Sequence, residues 1–314
     1  MLPHSRNGGA VFIEEYLQEL RRDGFSPAAI ARYVHRVALL ARENLDANPG
    51  GVRAVWSVAL GFFAVAFIAS AAVALWVERG LAYELLLWSS VWILLAFGAV
   101  TAGISLLRDP QGYRLSALNV PLVLTLARVV VVPGIALLLM DRHYALALGV
   151  YSFAALSDVA DGWVARRWNQ ITELGTVLDP VVDIVFNFTL FAGLALAGLL
   201  PGWVFAVAAL RYGVLVIGGA CLYVFVGPVR IRPTTLGRLM GVVTSTLVAL
   251  LAALHLGGGH FAERLLPLTG IALGVLLIAG LLHVLALGWY NLRVMRGTVQ
   301  AEGRVVGDVR WGKQ

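Results

Sequence analysis

The sequence predicts an all-α, polytopic membrane protein, and three observations carry that expectation. The 314-residue chain is 60% hydrophobic and only 13% charged. Its apolar residues gather in runs of about twenty, the length a helix needs to cross the hydrocarbon core. The charged residues fall mainly between those runs. Lipid offers the backbone no hydrogen-bond partners, so each run must satisfy its own amides as a helix, and runs of this length exclude barrel strands.

The first element is polar. Over residues 11–46, Phe12, Tyr16 and Leu20 recur at helical spacing until Gly24 breaks the pattern. Ser26 and Pro27 then read as an N-cap and first-turn proline, after which Ile30, Val34, Val37 and Ala41 mark one apolar face. Asn48-Pro49-Gly50-Gly51 is expected to close the segment as a turn. The two helices read as a small hairpin packed on the membrane domain or on a neighbour. A membrane-surface helix bearing Arg32, Arg36 and Arg42 is the alternative.

Eight spans follow, over residues 54–77, 84–107, 119–140, 144–166, 175–198, 202–225, 237–256 and 267–290. An even count places both termini on one side. Segments on that side carry Arg21, Arg53, Arg108, Arg114, Arg166, Arg230 and Arg293 among others, whereas the opposite side carries only Arg79, Arg142 and Arg264. Arginine marks the cytoplasmic side of short loops, so the termini are expected in the cytoplasm of a cell whose inner membrane the chain crosses. Trp56, Trp76, Trp88, Trp203 and Trp289 fall near span ends, where interfacial anchors belong. The organisation is then a cytosolic helical segment (1–52), two extra transmembrane helices (53–110), a six-helix core (111–292) and a basic cytosolic tail (293–314).

Topology also accounts for the net charge of +6 and the pI near 9.8. No stripe of basic residues interleaved with aromatics lies outside the spans, which argues against nucleic acid as a partner. Cys221, the single cysteine, excludes an internal disulfide and reads as a buried thiol. No signal peptide is expected in the first twenty residues, which include Arg6, Glu14, Glu15 and Glu19.

Chemistry concentrates where the fourth span ends and the fifth begins. Asp158 and Asp161 are three residues apart, Asp179 and Asp183 four apart, so each pair shares a helix face. Carboxylates near the bilayer interior cost about 2.5 kcal/mol or more each and normally face a cavity, a partner or an ion. Four together repel one another, and a hard divalent cation relieves that repulsion. With no Cys or His pair nearby, the oxygen-only set points to Mg²⁺ or Mn²⁺, and two ions are conceivable. Gly162 and Gly175 let a flat base or a phosphate approach the backbone between the two helices, Ala165 keeps the same face low, and Arg166 presents a permanent cation for phosphate oxygens.

These positions resemble the signature of the CDP-alcohol phosphatidyltransferase family, D-x2-D-G-x2-A-R-x7-8-G-x3-D-x3-D, which Asp158, Asp161, Gly162, Ala165, Arg166, Gly175, Asp179 and Asp183 fill throughout. The resemblance covers about the last two hundred residues and implies the family's six-helix core. It implies transfer of a phospho-alcohol group from a CDP-linked lipid donor to a small alcohol, with release of CMP. By that resemblance Asp158, Asp161 and Asp179 ligate metal, and Asp183 either ligates a second ion or acts as general base. Asn119-Val120-Pro121 with Thr125 and Arg128 looks like the opening of bacterial phosphatidylglycerophosphate synthases, as do Asn169, Thr172 and Leu178-Asp179-Pro180. Thr125 and Arg128 are therefore placed at the CDP-donor site, although Pro121 also suits a helix start and Thr125 a bond back to it. Ile184 stands where those synthases commonly carry lysine, so the acceptor is left open. Asn187 is read as touching either substrate or a neighbouring helix.

Arg230, Arg232, Pro233, Thr234 and Arg238 form a basic turn before the seventh span. Arg232 and Arg238 there are candidate partners for an anionic acceptor, and the positive-inside pattern is the alternative explanation. Two other functions remain in view: transfer from CDP-choline or CDP-ethanolamine to diacylglycerol, and an ion-coupled transporter. The N-terminal extension fits homodimerisation, regulation or partner docking alike.

Overall fold

The computed structural model describes residues 10–225 and 234–295. Among them every extended element is a helix, in agreement with the all-α membrane class, and the one pairing of β type is the isolated bridge between Arg108 and Arg114. Arg230, Arg232, Pro233 and nearly all of the basic tail lie outside the described residues.

Helices α1 (Ala10–Arg22) and α2 (Pro27–Ala47) form the expected hairpin. Gly24 and Phe25 turn the chain at φ +63° and +56°, and the Ser26 hydroxyl accepts from the Ala29 amide at 3.3 Å with Pro27 in the first turn. Leu17 and Leu20 pack on Ala29, Phe25 and Tyr33. The apolar face expected from Ile30 and Val34 is not the packed one, since those side chains are 44% and 59% exposed. The small Ala29, one residue round the helix, allows α1 the closer approach. Asn48 then ends α2 and opens α3 (Pro49–Trp76) in one step: its side chain accepts from the Gly51 amide at 3.0 Å and donates to the Leu115 carbonyl at 2.9 Å. Pro49-Gly50-Gly51 is thus the first turn of a span rather than the expected loop, because Asn-Pro is the same cap signature as Ser26-Pro27.

Only Val77 and Glu78 separate α3 from α4 (Arg79–Ala102), so the second span begins before residue 84, where it was expected. Trp88 accordingly lies about 14 Å along α4 and is not at its end. A loop containing a short 3₁₀ turn leads to α5 (Val120–Met140), α6 (Tyr144–Arg167), α7 (Glu173–Leu196), α8 (Gly202–Phe225), α9 (Thr235–Gly257) and α10 (Gly259–Met295). The last helix starts eight residues before its expected beginning at 267 because Gly258 and Gly259, at φ +59° and +85°, turn the chain at once. Pro267 sits inside it, which a span tolerates where neighbours satisfy the freed carbonyl. Seven of these helices are long and apolar enough to cross a membrane; α6, of similar length, ends in Asp158, Asp161, Arg166 and Arg167 and completes the eight.

Six helices close a ring in which consecutive neighbours touch in the order α5, α6, α9, α10, α8, α7 and back to α5. At one level its interior is filled by Tyr151, Phe186, Phe191, Tyr212, Val248, Leu273 and Leu277. Helix α5 is the most buried span and also carries α4, through Leu122, Leu126 and Val130 against Ile93, Phe97 and Val100. Packing rather than exclusion of water holds such helices together in lipid, so close contact matters. Gly193 shows it: a Cβ there would lie 3.4 Å from the Ala136 Cα of α5. Cys221 is exposed on the outside of α8, contrary to the expected buried thiol, because a bilayer and not the protein covers that face. The hairpin docks on the end of the same helix, where Arg21 donates to the carbonyls of Val224, at 2.7 Å, and Tyr223, and Phe25 meets Phe225 with ring centroids 5.1 Å apart. These contacts satisfy carbonyls that a helix end leaves without partners.

Candidate active site

Three helix ends and their caps set the site. Asn119 caps α5 by accepting from the Leu122 amide at 3.2 Å, and its side-chain amide donates to the Gln170 carbonyl at 2.6 Å, tying α5 to the α6–α7 loop. Asn169 adopts φ +52° just past α6, where the Gln170 amide bonds to the Ala165 carbonyl at 3.0 Å. This is a Schellman closure, for which asparagine is suited, and it accounts for Asn169 without a ligand. Thr172 caps α7 through the Gly175 amide at 3.0 Å. A Cβ on Gly175 would lie 3.0 Å from that hydroxyl, so the motif glycine leaves the cap uncrowded.

With α6 ending and α7 starting side by side, the four aspartates face α5, and three of them meet Arg128, which is 4% exposed. Its Nη1 lies 2.5 Å from Asp158 Oδ1 and 2.7 Å from Asp183 Oδ1, and its Nη2 lies 3.0 Å from Asp161 Oδ2. One guanidinium therefore gathers three carboxylates from two helices. The fourth, Asp179, is reached by Thr125, whose hydroxyl lies 3.0 Å from Asp179 Oδ1, 3.2 Å from Asp161 Oδ2 and 3.1 Å from the Pro121 carbonyl. A hydroxyl has one proton to give. Three acceptors converge on it, so it serves one at a time, and of the two carboxylates only Asp161 Oδ2 also has the Arg128 Nη2 as donor.

Beside this cluster a cavity of about 210 Å³ opens between α5, α6 and α7. Thr125, Asp161, Gly162, Ala165, Arg166, Gly175 and Asp179 line it, which brings five of the six residues expected to hold the donor together with two of the expected metal ligands. Arg128 does not line it; the structure puts its guanidinium on the aspartates. Asp158 and Asp183 also lie outside the cavity wall, with side chains 53% and 56% exposed against 10% for Asp161. Asn187 bonds back to the Asp183 carbonyl of its own helix at 2.7 Å, so the expectation of a neighbouring helix is corrected. Arg238 is exposed on the first turn of α9 and is not part of the cavity wall. Gln170 was not singled out from sequence. It lines the cavity with its Oε1 buried and unpartnered, and a polar residue in the short loop between two motif helices was the signal available.

Among the described residues no three carboxylate, histidine or cysteine side chains converge as a preformed metal group. The donor chemistry nevertheless suits a hard cation. Three of the four carboxylates share a single guanidinium, all donors are oxygen, and the crowded Thr125 hydroxyl leaves Asp179 with unmet acceptor capacity at the cavity edge.

The family model for CDP-alcohol phosphatidyltransferase matches residues 118–285, a stretch that contains the whole site. The chain is 36% identical over 84 residues to the human cardiolipin synthase (CMP-forming), covering 26% of this chain and 28% of that protein. It is 41% identical over 71 residues to the CDP-diacylglycerol–glycerol-3-phosphate 3-phosphatidyltransferase of Aquifex aeolicus, covering 23% and 40%. A cardiolipin synthase (CMP-forming) of Streptomyces coelicolor is 34% identical over 106 residues, covering 32% and 49%. The matching stretch spans less than half the length of each of these relatives. No solved structure matches the chain.

Proposed function

Because the chain belongs to the CDP-alcohol phosphatidyltransferase family, we propose that it transfers a phosphatidyl group from CDP-diacylglycerol to the hydroxyl of a phosphate-bearing alcohol, releasing CMP in phospholipid synthesis. The observation that carries this reading is the convergence of Asp158, Asp161 and Asp183 on Arg128, with Asp179 held by Thr125 beside them, at the rim of a cavity floored by the small residues of the same motif. The two cardiolipin synthases and the glycerol-3-phosphate transferase among the relatives support the donor and the class of acceptor.

In this reading the cytidine enters the cavity between α6 and α7, where Gly162, Ala165 and Gly175 leave room for a planar base and Gln170 Oε1 offers an acceptor to its exocyclic amine. The Arg166 guanidinium, 3.3 Å from where a Gly162 Cβ would stand, holds the diphosphate oxygens. Asp158, Asp161 and Asp179 are the residues that would hold Mg²⁺ or Mn²⁺, with Asp183 completing a second position; the ions, when bound, supply positive charge to the diphosphate oxygens. Asp183, more than half exposed and outside the cavity wall, takes the proton of the acceptor hydroxyl. That oxygen forms the new bond to the phosphatidyl phosphorus as the P–O bond to CMP breaks. Arg128, released from Asp183 as the acceptor arrives, keeps Asp161 in place. Arg232 and Arg238 are assigned to the approach of an anionic acceptor. The site faces the cytoplasm of the inner membrane, as the arginine distribution supports.

The test is CMP release by the purified protein with CDP-diacylglycerol, Mg²⁺ and a panel of acceptors, the lipid product being identified by mass. Release with a phosphate-bearing acceptor is expected. No release with any acceptor, or release only from CDP-choline or CDP-ethanolamine in the presence of diacylglycerol, refutes the reading.

A further inference from the structure

We propose that Arg211 receives the phosphate of the acceptor alcohol, an inference that rests on the transferase reading and supplies the acceptor side of the same site. Arg211 lies on α8, fourteen residues before Phe225 and so about 21 Å from that end of the helix, among apolar surroundings. A charged side chain at such depth is costly and normally has a partner or a ligand. Among the described residues no carboxylate lies within ion-pair distance of Arg211. Its Nε is buried and unpartnered, and the guanidinium rests 5.5 Å over the ring of its neighbour Tyr212.

The surroundings are shaped to this side chain. A Cβ on Gly280 of α10 would lie 2.9 Å from the Arg211 Cζ, so α10 is bare where the guanidinium passes. Immediately beyond, Val214–Gly218 is a π segment, which widens α8 at this level, as such segments frequently do at functional sites.

Position in the ring assigns the role. Helix α8 touches α7 and α10, across from the α5–α6 side that walls the nucleotide cavity. Tyr212, buried on α8 beneath the Arg211 guanidinium, packs with its ring centroid 6.5 Å from that of Phe191 on α7, the helix that carries Asp183. Asp183 stands ten residues into α7, about 15 Å from the site-bearing end, which leaves Arg211 about 6 Å deeper. That offset along the helix axes is no greater than the reach from hydroxyl to phosphate in a glycerol phosphate unit. An acceptor whose hydroxyl meets Asp183 thus places its phosphate at Arg211, whose planar fork of donors suits phosphate oxygens. The shared chemistry belongs equally to a free phosphomonoester and to the phosphodiester of a lipid headgroup.

Binding to the full-length protein, measured without turnover, tests the assignment. One arm titrates glycerol 3-phosphate in detergent; the other compares nanodiscs containing phosphatidylglycerol with nanodiscs of phosphatidylcholine alone. One arm is expected to bind the wild type, and Arg211→Gln to weaken that binding about tenfold or more, with Arg211→Lys recovering part of it and the affinity for the CDP-linked donor unchanged in both variants. Binding by Arg211→Gln equal to the wild type, binding of neither acceptor by the wild type, or an equal loss of donor affinity in Arg211→Gln overturns the assignment. The two readings fail separately. A wild type that binds acceptor in an Arg211-dependent way and yet releases no CMP retains the anion site and loses the transferase reading. Normal CMP release, with the acceptor KM of Arg211→Gln unchanged, removes Arg211 alone.

Discussion

Replacing Arg128 with methionine keeps an unbranched side chain and removes the guanidinium that holds three of the four motif carboxylates. The partners differ in burial, so they contribute unequally. Asp161 is 10% exposed, and breaking a buried pair costs about 3 kcal/mol. Asp158 and Asp183 are more than half exposed, and each adds less than about 1 kcal/mol after screening. The variant should therefore lose about 3–4 kcal/mol in the absence of divalent cations, a fall of roughly 6–12 °C in the midpoint of thermal unfolding. Freed of the guanidinium, the carboxylates should bind Mg²⁺ more tightly than in the wild type, and saturating Mg²⁺ should restore most of the loss. The assay is thermal unfolding in detergent with EDTA and then across a Mg²⁺ titration, with Arg128→Lys expected to fall between the two. A midpoint unchanged in EDTA, or a Mg²⁺ response identical to the wild type, refutes the reasoning that Arg128 is the resident counter-ion of the cluster.

Asp183→Asn should bind the CDP-linked donor normally and lose turnover by about 10²–10⁴-fold, the range of a general base; retained turnover in a CMP-release assay removes Asp183 from that role. Gly162→Val should displace Arg166, since even a Cβ would stand 3.3 Å from its Nη1, and raise the donor KM about tenfold or more with the acceptor KM unmoved. Arg21→Ala removes the bonds to the Val224 and Tyr223 carbonyls and should speed protease cleavage at the Gly24–Ser26 turn without altering turnover. Equal cleavage rates in the two proteins contradict the docking of the hairpin on α8.

The spans and the motif were legible because their signals are local. Twenty apolar residues in lipid have one solution, and aspartates three and four apart share a face in any helix. Helix starts were less legible where the chain turns in one or two residues. Gly258 and Gly259 looked like loop, yet their positive φ reverses the chain so tightly that α10 begins at once. The same limit made Asn48-Pro49 read as a turn when it is a cap. The packed face of α2 escaped detection because Ala29 wins contact through small size, whereas periodicity weighs large residues such as Ile30 and Val34. In the site, Asp158 to Asp183 announced themselves by spacing. The placement of Arg128 among them could not be read, since it depends on α5 lying between α6 and α7, a long-range fact. Arg211 passed unnoticed in a span for a similar reason: its significance comes from what α10 leaves open opposite it.

The most direct test of the transferase account compares wild type and Asp161→Asn in one measurement, the rate of CMP appearance from CDP-diacylglycerol with Mg²⁺ and a phosphate-bearing acceptor, each run with and without excess EDTA. The account predicts release by the wild type with Mg²⁺, abolished by EDTA and lost in Asp161→Asn. CMP release that persists in the variant, or no release from the wild type, contradicts it.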